Sequence, residues 1–312
     1  MSEWTQHLPT AARIATHAAQ STAPLPTAGP RSTAPAAERA AASKAGTPRR
    51  PARPLSPRSL ALISWLAPLA LVVVWELFAR AGALSPQVLP APSRVAQTAW
   101  QLVLQGQLIS DLGVSLLRAA TGFAIGGTIG FTLGTLVGFS RLAEALLDRS
   151  VQMVRAVPFL AMLPLVIVWF GVDEAGKIFL VSLGVMFPIY INTVLGIRQV
   201  DPKLVEVGRV NGLSTTALIR RIVLPGALPS ILAGVRYALA VAWLALVIAE
   251  TIATEAGIGF LAMDAREFLR TDVIVLTIVV YAAIGVASDA VARALEWRLL
   301  SWHPNYAARG GR

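Results

Sequence analysis

An all-α integral membrane protein of about six transmembrane helices is the fold class this sequence predicts, and three observations predict it. Apolar residues make up 55% of the 312-residue chain, charged residues only 14%, and mean hydropathy is +0.63. That composition belongs to membrane proteins rather than to soluble globular domains. A hydrocarbon core about 30 Å thick takes roughly 20 apolar helical residues to cross. Six stretches qualify: 60–79, 116–139, 149–171, 177–197, 230–253 and 273–292. The basic residues, finally, are distributed unevenly over the connections. They crowd residues 1–58, the 140–149 turn, the 198–229 loop and the C-terminal Arg293, Arg298, Arg309 and Arg312. The alternate connections carry Arg80 and Arg94, none in 172–176, and Arg266 and Arg270. The excess of Lys and Arg marks the cytoplasmic side, so both termini and the 198–229 loop are expected there. The net charge of +10 is thereby explained by membrane orientation, and no nucleic acid partner is expected.

Residues 1–58 are rich in Ala, Pro, Ser, Thr and Arg without an apolar run, which predicts a disordered cytoplasmic tail. They lack the apolar core of a secretory signal peptide. An organelle transit peptide shares the Arg-rich composition, but Glu3, Glu38 and the many prolines speak against it. Residues 59–306 then form the membrane domain and 307–312 a short tail. In the first outer connection, SPQVLPAPSRV precedes an amphipathic stretch with Val95, Leu102 and Leu108. It is expected to lie along the outer membrane surface, a plain linker being the alternative.

The second span repeats glycine every four residues, at Gly122, Gly126, Gly130, Gly134 and Gly138. Residues four apart share a helix face, and small-residue stripes let helices in lipid approach closely. Packing within the chain is the simpler expectation, a contact between two copies the alternative. The third span holds Arg155, Pro158 and Pro164, and the fourth Pro188, Tyr190 and Asn192. Broken helices are tolerated where backbone is buried in protein or lines a cavity, and in transporters they often mark the solute path. Arg155, Pro158, Pro188 and Asn192 are therefore candidates to line a path, with headgroup anchoring the plainer role for Arg155 and Asn192. Glu250, near the outer end of the fifth span, is a further candidate, because ionisable residues in a membrane are functional suspects. It is expected either to pair with Arg118 or Arg236 as part of a gate, or to cap the span at the interface. Arg236 alternatively snorkels to the cytoplasmic surface. The outer loop 254–272 carries Asp264, Arg266, Glu267, Arg270 and Asp272, either a solvated face or a contact for a solute-binding protein.

Several chemistries are excluded. Cysteine is absent, so disulfides, thiolate metal sites and cysteine nucleophiles are out. The histidines stand at 7, 17 and 303, outside every span, which removes a histidine-based metal or catalytic centre from the membrane. No phosphate-binding G-x4-G-K-[ST] loop occurs, so the chain is not its own ATPase by that route. No cofactor is expected in it, and energy must come from another subunit or from an ion gradient.

The most informative stretch is the polar loop. Asp201 is a good N-cap and Pro202 a good first helical residue. A helix through Asn211 is then expected to stop at Gly212 in the left-handed conformation. Ser214 can cap a second short helix in which Leu218, Ile219, Ile222 and Val223 share a face and Arg220 and Arg221 take the other. Pro225 and Pro229 are expected to end it and open the next span. Helix, glycine turn and helix make a knob suited to a groove on another protein. A surface-lying basic amphipathic loop is the alternative.

Residues 206–225, EVGRVNGLSTTALIRRIVLP, fit the spacing E-x5-G-x9-I-x-L-P through Glu206, Gly212, Ile222, Leu224 and Pro225. This resembles the cytoplasmic coupling loop of ABC importer permeases, although Val207 and Gly208 stand where that pattern normally carries two alanines. The similarity extends over about residues 60–306, through SLLRAATGF, RAVPFLAMLPLVIVWFG, FPIYINTVLGIRQVDPKLVEVGRVNGLS, MDAREFLRTD and LLSWHPNY. Together these resemble permeases of the aliphatic sulfonate, taurine and nitrate group, nearest the aliphatic sulfonate branch. The resemblance implies the type I ABC importer permease fold in a bacterial inner membrane. It also implies a homodimer served by two ATPase subunits, which bind the ATP and magnesium, and by a periplasmic solute-binding protein. Glu206, Val207, Gly208, Gly212, Leu213, Ile222, Leu224 and Pro225 would then transmit force from the ATPase and catalyse nothing. Taurine, nitrate or another small anion remains an alternative solute. An ion-coupled secondary transporter would want internal repeats and midplane acids. No repeat is evident, and Glu76, Glu250 and Asp289 stand near span ends. A membrane-embedded enzyme is poorer still without cysteine or intramembrane histidine.

Overall fold

Backbone groups inside a bilayer have no water to bond to, so spanning segments must satisfy their own hydrogen bonds as helices. The computed structural model describes residues 57–252 and 254–302, without the side chains of 57–62 and 64, and every regular element in it is helical. The expected tails, apart from residues 57 and 58, and all three histidines lie outside the described residues. Contacts divide the chain into Met1–Leu60 and Ala61–Arg312, and nearly all of the described residues belong to the second unit.

Helix α1 (Pro57–Arg80) coincides with the first expected span. Trp65, Leu69, Leu71 and Phe78 on it are exposed, as lipid-facing side chains should be. Helix α2 (Pro92–Leu104) opens on Pro92. Gly106, at φ 76°, turns the chain into α3 (Gln107–Phe139). The amphipathic outer stretch is therefore two helices, and the second span begins at Gln107 rather than 116. Val95 and Leu102 of α2 pack with Leu108 of α3 in one buried cluster.

Helix α4 (Arg141–Ala156) carries a π-helical turn at Glu144–Asp148. It is followed at a 90° bend by α5 (Phe159–Phe170), whose first turn is 3-10. The expected span 149–171, whose prolines were noted as possible breaks, is thus a bent pair that begins at Arg141. Pro158 is the cause: proline disfavours α geometry in the residue before it, and Val157 is extended at ψ 124°. Helix α6 (Glu174–Arg198) instead continues through Pro188 without a break, so the fourth span is not interrupted as the proline suggested.

Helix α7 (Pro202–Val210) is followed by α8, which runs from Thr215 to Glu250. Pro225 and Pro229 do not separate a short helix from a span. A π-helical stretch at Ile219–Val223 carries the chain straight into the membrane segment, a local change of register that accommodates such breakers. Helix α9 (Ile258–Glu267) and α10 (Thr271–Leu299) complete the chain. The outer loop is thus largely helical, with Ile258, Leu261 and Ala265 buried against α2, α3 and α10. Among the described residues four helices, α3, α6, α8 and α10, are long and apolar enough to cross a membrane, or five spans if the bent pair counts as one.

The centre of the fold is α6, held between α3 and α8. The glycine stripe of α3 lies against α6 of the same chain. A Cβ on Gly126 would strike the backbone of Ser182, and one on Gly130 the backbone of Met186. Gly122 faces Val181, Gly134 faces Thr193 and Gly138 faces Ile197. On its other side α6 meets α8, where Gly234 admits Asn192 and Gly184 admits Val241 and Ala245. Close approach lets dispersion replace the hydrophobic drive that lipid does not supply.

Candidate functional site

The polar loop is built almost entirely by local hydrogen bonds. The Asp201 carboxylate accepts from the Lys203 N–H at 2.9 Å, and the Ser214 hydroxyl from the Ala217 N–H at 3.4 Å. Each is a side-chain cap on an otherwise unpaired helix start. At the other end of α7, Gly212 takes φ 74°. Its N–H donates to the Arg209 carbonyl at 2.9 Å, and the Leu213 N–H to the Gly208 carbonyl at 3.1 Å. This pair of bonds is the Schellman stop, which a left-handed glycine allows. Asn211 adds a bond from its side-chain amide to the Val207 carbonyl, at 2.7 Å.

Gly208 is the point of closest packing in the knob. It is buried, and a Cβ there would meet Leu218 and Ile222 from α8 and Leu213 from the turn. Leu218 and Val223 are buried, while Arg220 and Arg221 point outward. The outer face of α7 is different. Leu204, Val207 and Val210 are 55%, 58% and 83% exposed, with Glu206 and Arg209 exposed beside them. Apolar side chains at three-residue spacing on a polar loop make an open docking face. Leu224 is exposed and Pro225 half-buried where α8 leaves the loop.

The path candidates divide. Arg155, Pro158 and Pro188 line one cleft of about 580 Å³ between the bend, α6 and α8. Asn192 and Glu250 do not line it. Asn192 donates to the Pro188 carbonyl at 2.8 Å and sits against Gly234, so it is not a headgroup anchor. Tyr190, also buried, donates to the Asp148 carboxylate at 2.6 Å and ties α6 to α4.

Of the settings expected for Glu250, the structure shows the pairing with Arg118 and not the one with Arg236. Glu250 is 1% exposed and bound to Arg118, whose Nη1 donates to Oε1 at 2.8 Å. Ser115 donates to the same carboxylate at 2.7 Å, and the Gly259 N–H at 2.9 Å. The other edge of Arg118 holds Glu174 through Nε and Nη2, at 2.6 and 2.5 Å. Nη1 also donates to the Ala256 carbonyl at 2.7 Å, while the Asp111 carboxylate accepts from the Gly257 N–H at 2.9 Å. One ionic knot therefore joins the first half of α3, the start of α6 and the end of α8 to the loop before α9. Ser115, Asp111, Glu174 and the Gly257 backbone were not singled out from the sequence. The spacing SDLGVSLLR, which places Asp111, Ser115 and Arg118 on one helix face, was the available signal. Arg236, 45% exposed, pairs with Asp289 at 2.6 Å. Among the described residues no cluster of acidic or histidine side chains is arranged to hold a metal.

Residues 107–301 match the family described as the inner membrane component of binding-protein-dependent transport systems. SsuC of Escherichia coli (strain K12), whose name assigns it provisionally to aliphatic sulfonates transport as a permease, is 51% identical over 255 residues. The match covers 82% of this chain and 97% of that protein. SsuC of Bacillus subtilis (strain 168) is 44% identical over 77% of this chain and 87% of its own length. The taurine transport system permease protein TauC of Escherichia coli (strain K12) is 34% identical over 80% of this chain and 92% of its own. With a membrane-crossing helical core, the coupling-type loop and this match over most of its length, the chain belongs to the family of binding-protein-dependent transport system inner membrane components.

Proposed function

We propose that the chain is the permease of an ATP-driven importer for small organic anions, with aliphatic sulfonates as the solute. The observation that carries this reading is the α7 knob: a helix presenting Leu204, Val207 and Val210 outward from a polar loop. Such a face needs a partner, and a separate ATPase subunit is the partner the missing phosphate loop calls for. The solute assignment rests on the similarity to the two SsuC proteins.

In this account two copies of the chain enclose the path, with both termini cytoplasmic. The ATPase subunits bind ATP and magnesium, close together and move the α7 knobs. Because α8 continues from the knob into the membrane without a break, a displacement of the loop is carried along α8 as a rigid element. Gly208 keeps α7 locked on the start of α8, so the two move as one. The periplasmic binding protein docks on the outer side, where Phe268 and Leu269 are exposed at the end of α9. The cleft beside Pro158 and Pro188 is the part of the path that this copy supplies.

Val210→Glu and Gly212→Val test the docking. The first puts a charge on an 83% exposed apolar position and leaves the fold alone. The second forces a β-branched residue to positive φ, where it is a rare outlier. Both proteins are expected in the membrane at parental levels, yet with at least about tenfold less ATPase subunit retained on affinity purification, since interface hot spots lose about 2 kcal/mol or more. Undiminished retention by both variants would overturn the docking role of α7.

A further inference from the structure

We infer that the cleft at the α4–α5 bend is a binding site for an alkyl anion, with Arg155 holding the anionic head. This rests on the proposed import function and names where in the path the solute is recognised. The cleft is about 580 Å³, within the range of small-molecule sites. Its walls are apolar: Phe159 from the bend, Phe187 from α6, and Val241 and Leu244 from α8. Two polar side chains reach it, Arg155 and Tyr237.

Arg155 is the informative one. The bend brings it beside the middle of α6 and the membrane segment of α8, both of which cross the membrane. Three arginines on the crossing helices are matched with acids: Arg118 with Glu174 and Glu250, Arg198 with Glu144, Arg236 with Asp289. Among the described residues the Arg155 side chain has no hydrogen bond or ion pair, nor have those of Arg141 and Arg149 on the same helix, which do not line the cleft. Arg155 is exposed in the single chain, and inside a membrane a cation is costly unless it faces a watery cavity or an anion. Here it stands at the mouth of an apolar cleft, with five donors free in a planar fork suited to an oxyanion. A head with several charged oxygens and a short aliphatic tail satisfies both halves of the site. Sulfonate is such a head, and the apolar walls take the tail at about 25 cal/mol per Å² of apolar surface covered.

The pattern of the bend supports this. The helix ends at Ala156, Val157 is extended and Phe159 opens the next turn, so Arg155 and Phe159 flank the bend and both line the cleft. A lipid phosphate offers the same head chemistry, and the test separates the two.

The permease–ATPase complex in lipid nanodiscs, without binding protein, is titrated calorimetrically with propanesulfonate, hexanesulfonate and 1-hexanol. The wild-type complex is expected to bind hexanesulfonate more tightly than propanesulfonate. Arg155→Gln is expected to weaken both sulfonates about tenfold, the size of a lost charge-assisted hydrogen bond, while leaving 1-hexanol binding as it was. Arg155→Lys should recover part of the loss. Leu244→Trp, which fills the cleft, should weaken hexanesulfonate and spare propanesulfonate. Equal sulfonate binding by the wild type and Arg155→Gln overturns the inference. So does Arg155-dependent binding of dihexanoyl phosphatidylglycerol in the absence of any sulfonate binding, which would assign the site to lipid. Stimulation of the wild-type ATPase by sulfonate-loaded binding protein is read separately. It can persist when this site assignment fails, and its absence is what would overturn the proposed function itself.

Discussion

Replacing Arg118 by methionine is expected to cost about 3–5 kcal/mol of stability, the loss typical of breaking a buried ion pair by removing one partner. The reason lies in Glu250. Its carboxylate is 1% exposed and keeps only Ser115, Gly259 and a long 3.4 Å bond from Tyr281 once the guanidinium is gone. An uncompensated charge is then left in a water-poor site. The Glu174 half of the knot contributes much less, because that side chain is 57% exposed and its pair is screened by solvent. Arg118→Met with Glu250→Gln removes both charges and should recover a substantial part of the loss. Thermal unfolding of the purified permease in nanodiscs reads both. A single variant that melts with the parent would show that the knot contributes nothing to stability. Gly257 sits at φ 115° in the loop the knot holds, ahead of α9.

Gly126→Leu is expected to abolish the folded protein, at a cost above about 3 kcal/mol, the upper end of ordinary overpacking. The obstacle is the backbone of Ser182 and not a side chain that can turn away. Relief therefore requires α3 and α6 to separate along their whole contact. Gly122 is milder, since there the first obstacle is the Val181 side chain. Gly113→Ala on the same helix is the control: nothing lies within 4 Å of the added atom, and alanine is the better helix former. The recovery of monodisperse protein on size-exclusion chromatography distinguishes the variants. Normal recovery of Gly126→Leu would mean that the two helices do not approach as closely as the glycine stripe allows.

These two sites also show what was legible in the sequence. The glycine stripe has a period of four, so its shared face followed directly from helix geometry. The caps at Asp201 and Ser214 and the stop at Gly212 were equally readable, because each bonds to backbone within a few residues. The bend at Pro158 was readable only as a weakness. Proline identity does not say whether a helix breaks, as at Pro158, or continues, as at Pro188; the neighbours that replace the lost bond decide it. The run from Thr215 through Pro225 into α8 went the opposite way for the same reason, with a π-helical stretch absorbing the prolines. Least legible was the ionic knot. Glu250 and Arg118 were visible as unusual charges, and Asp111 shares a helix with Arg118, but Glu174 and the Gly257 backbone come from distant segments. Such pairings follow from how the helix ends meet, which no local pattern encodes. Arg155 belongs to the same class: its missing partner is apparent only once Arg118, Arg198 and Arg236 have found theirs.

The most direct test of the account is ATP hydrolysis by the permease reconstituted with its ATPase subunit and binding protein, across alkanesulfonates, taurine and nitrate. The account predicts that binding protein loaded with alkanesulfonates stimulates hydrolysis well above the unloaded level, and that taurine and nitrate do so less or not at all. Stimulation by nitrate or taurine alone would contradict the assigned solute while leaving the importer intact. A permease that retains no ATPase subunit and transports without ATP would contradict the central claim.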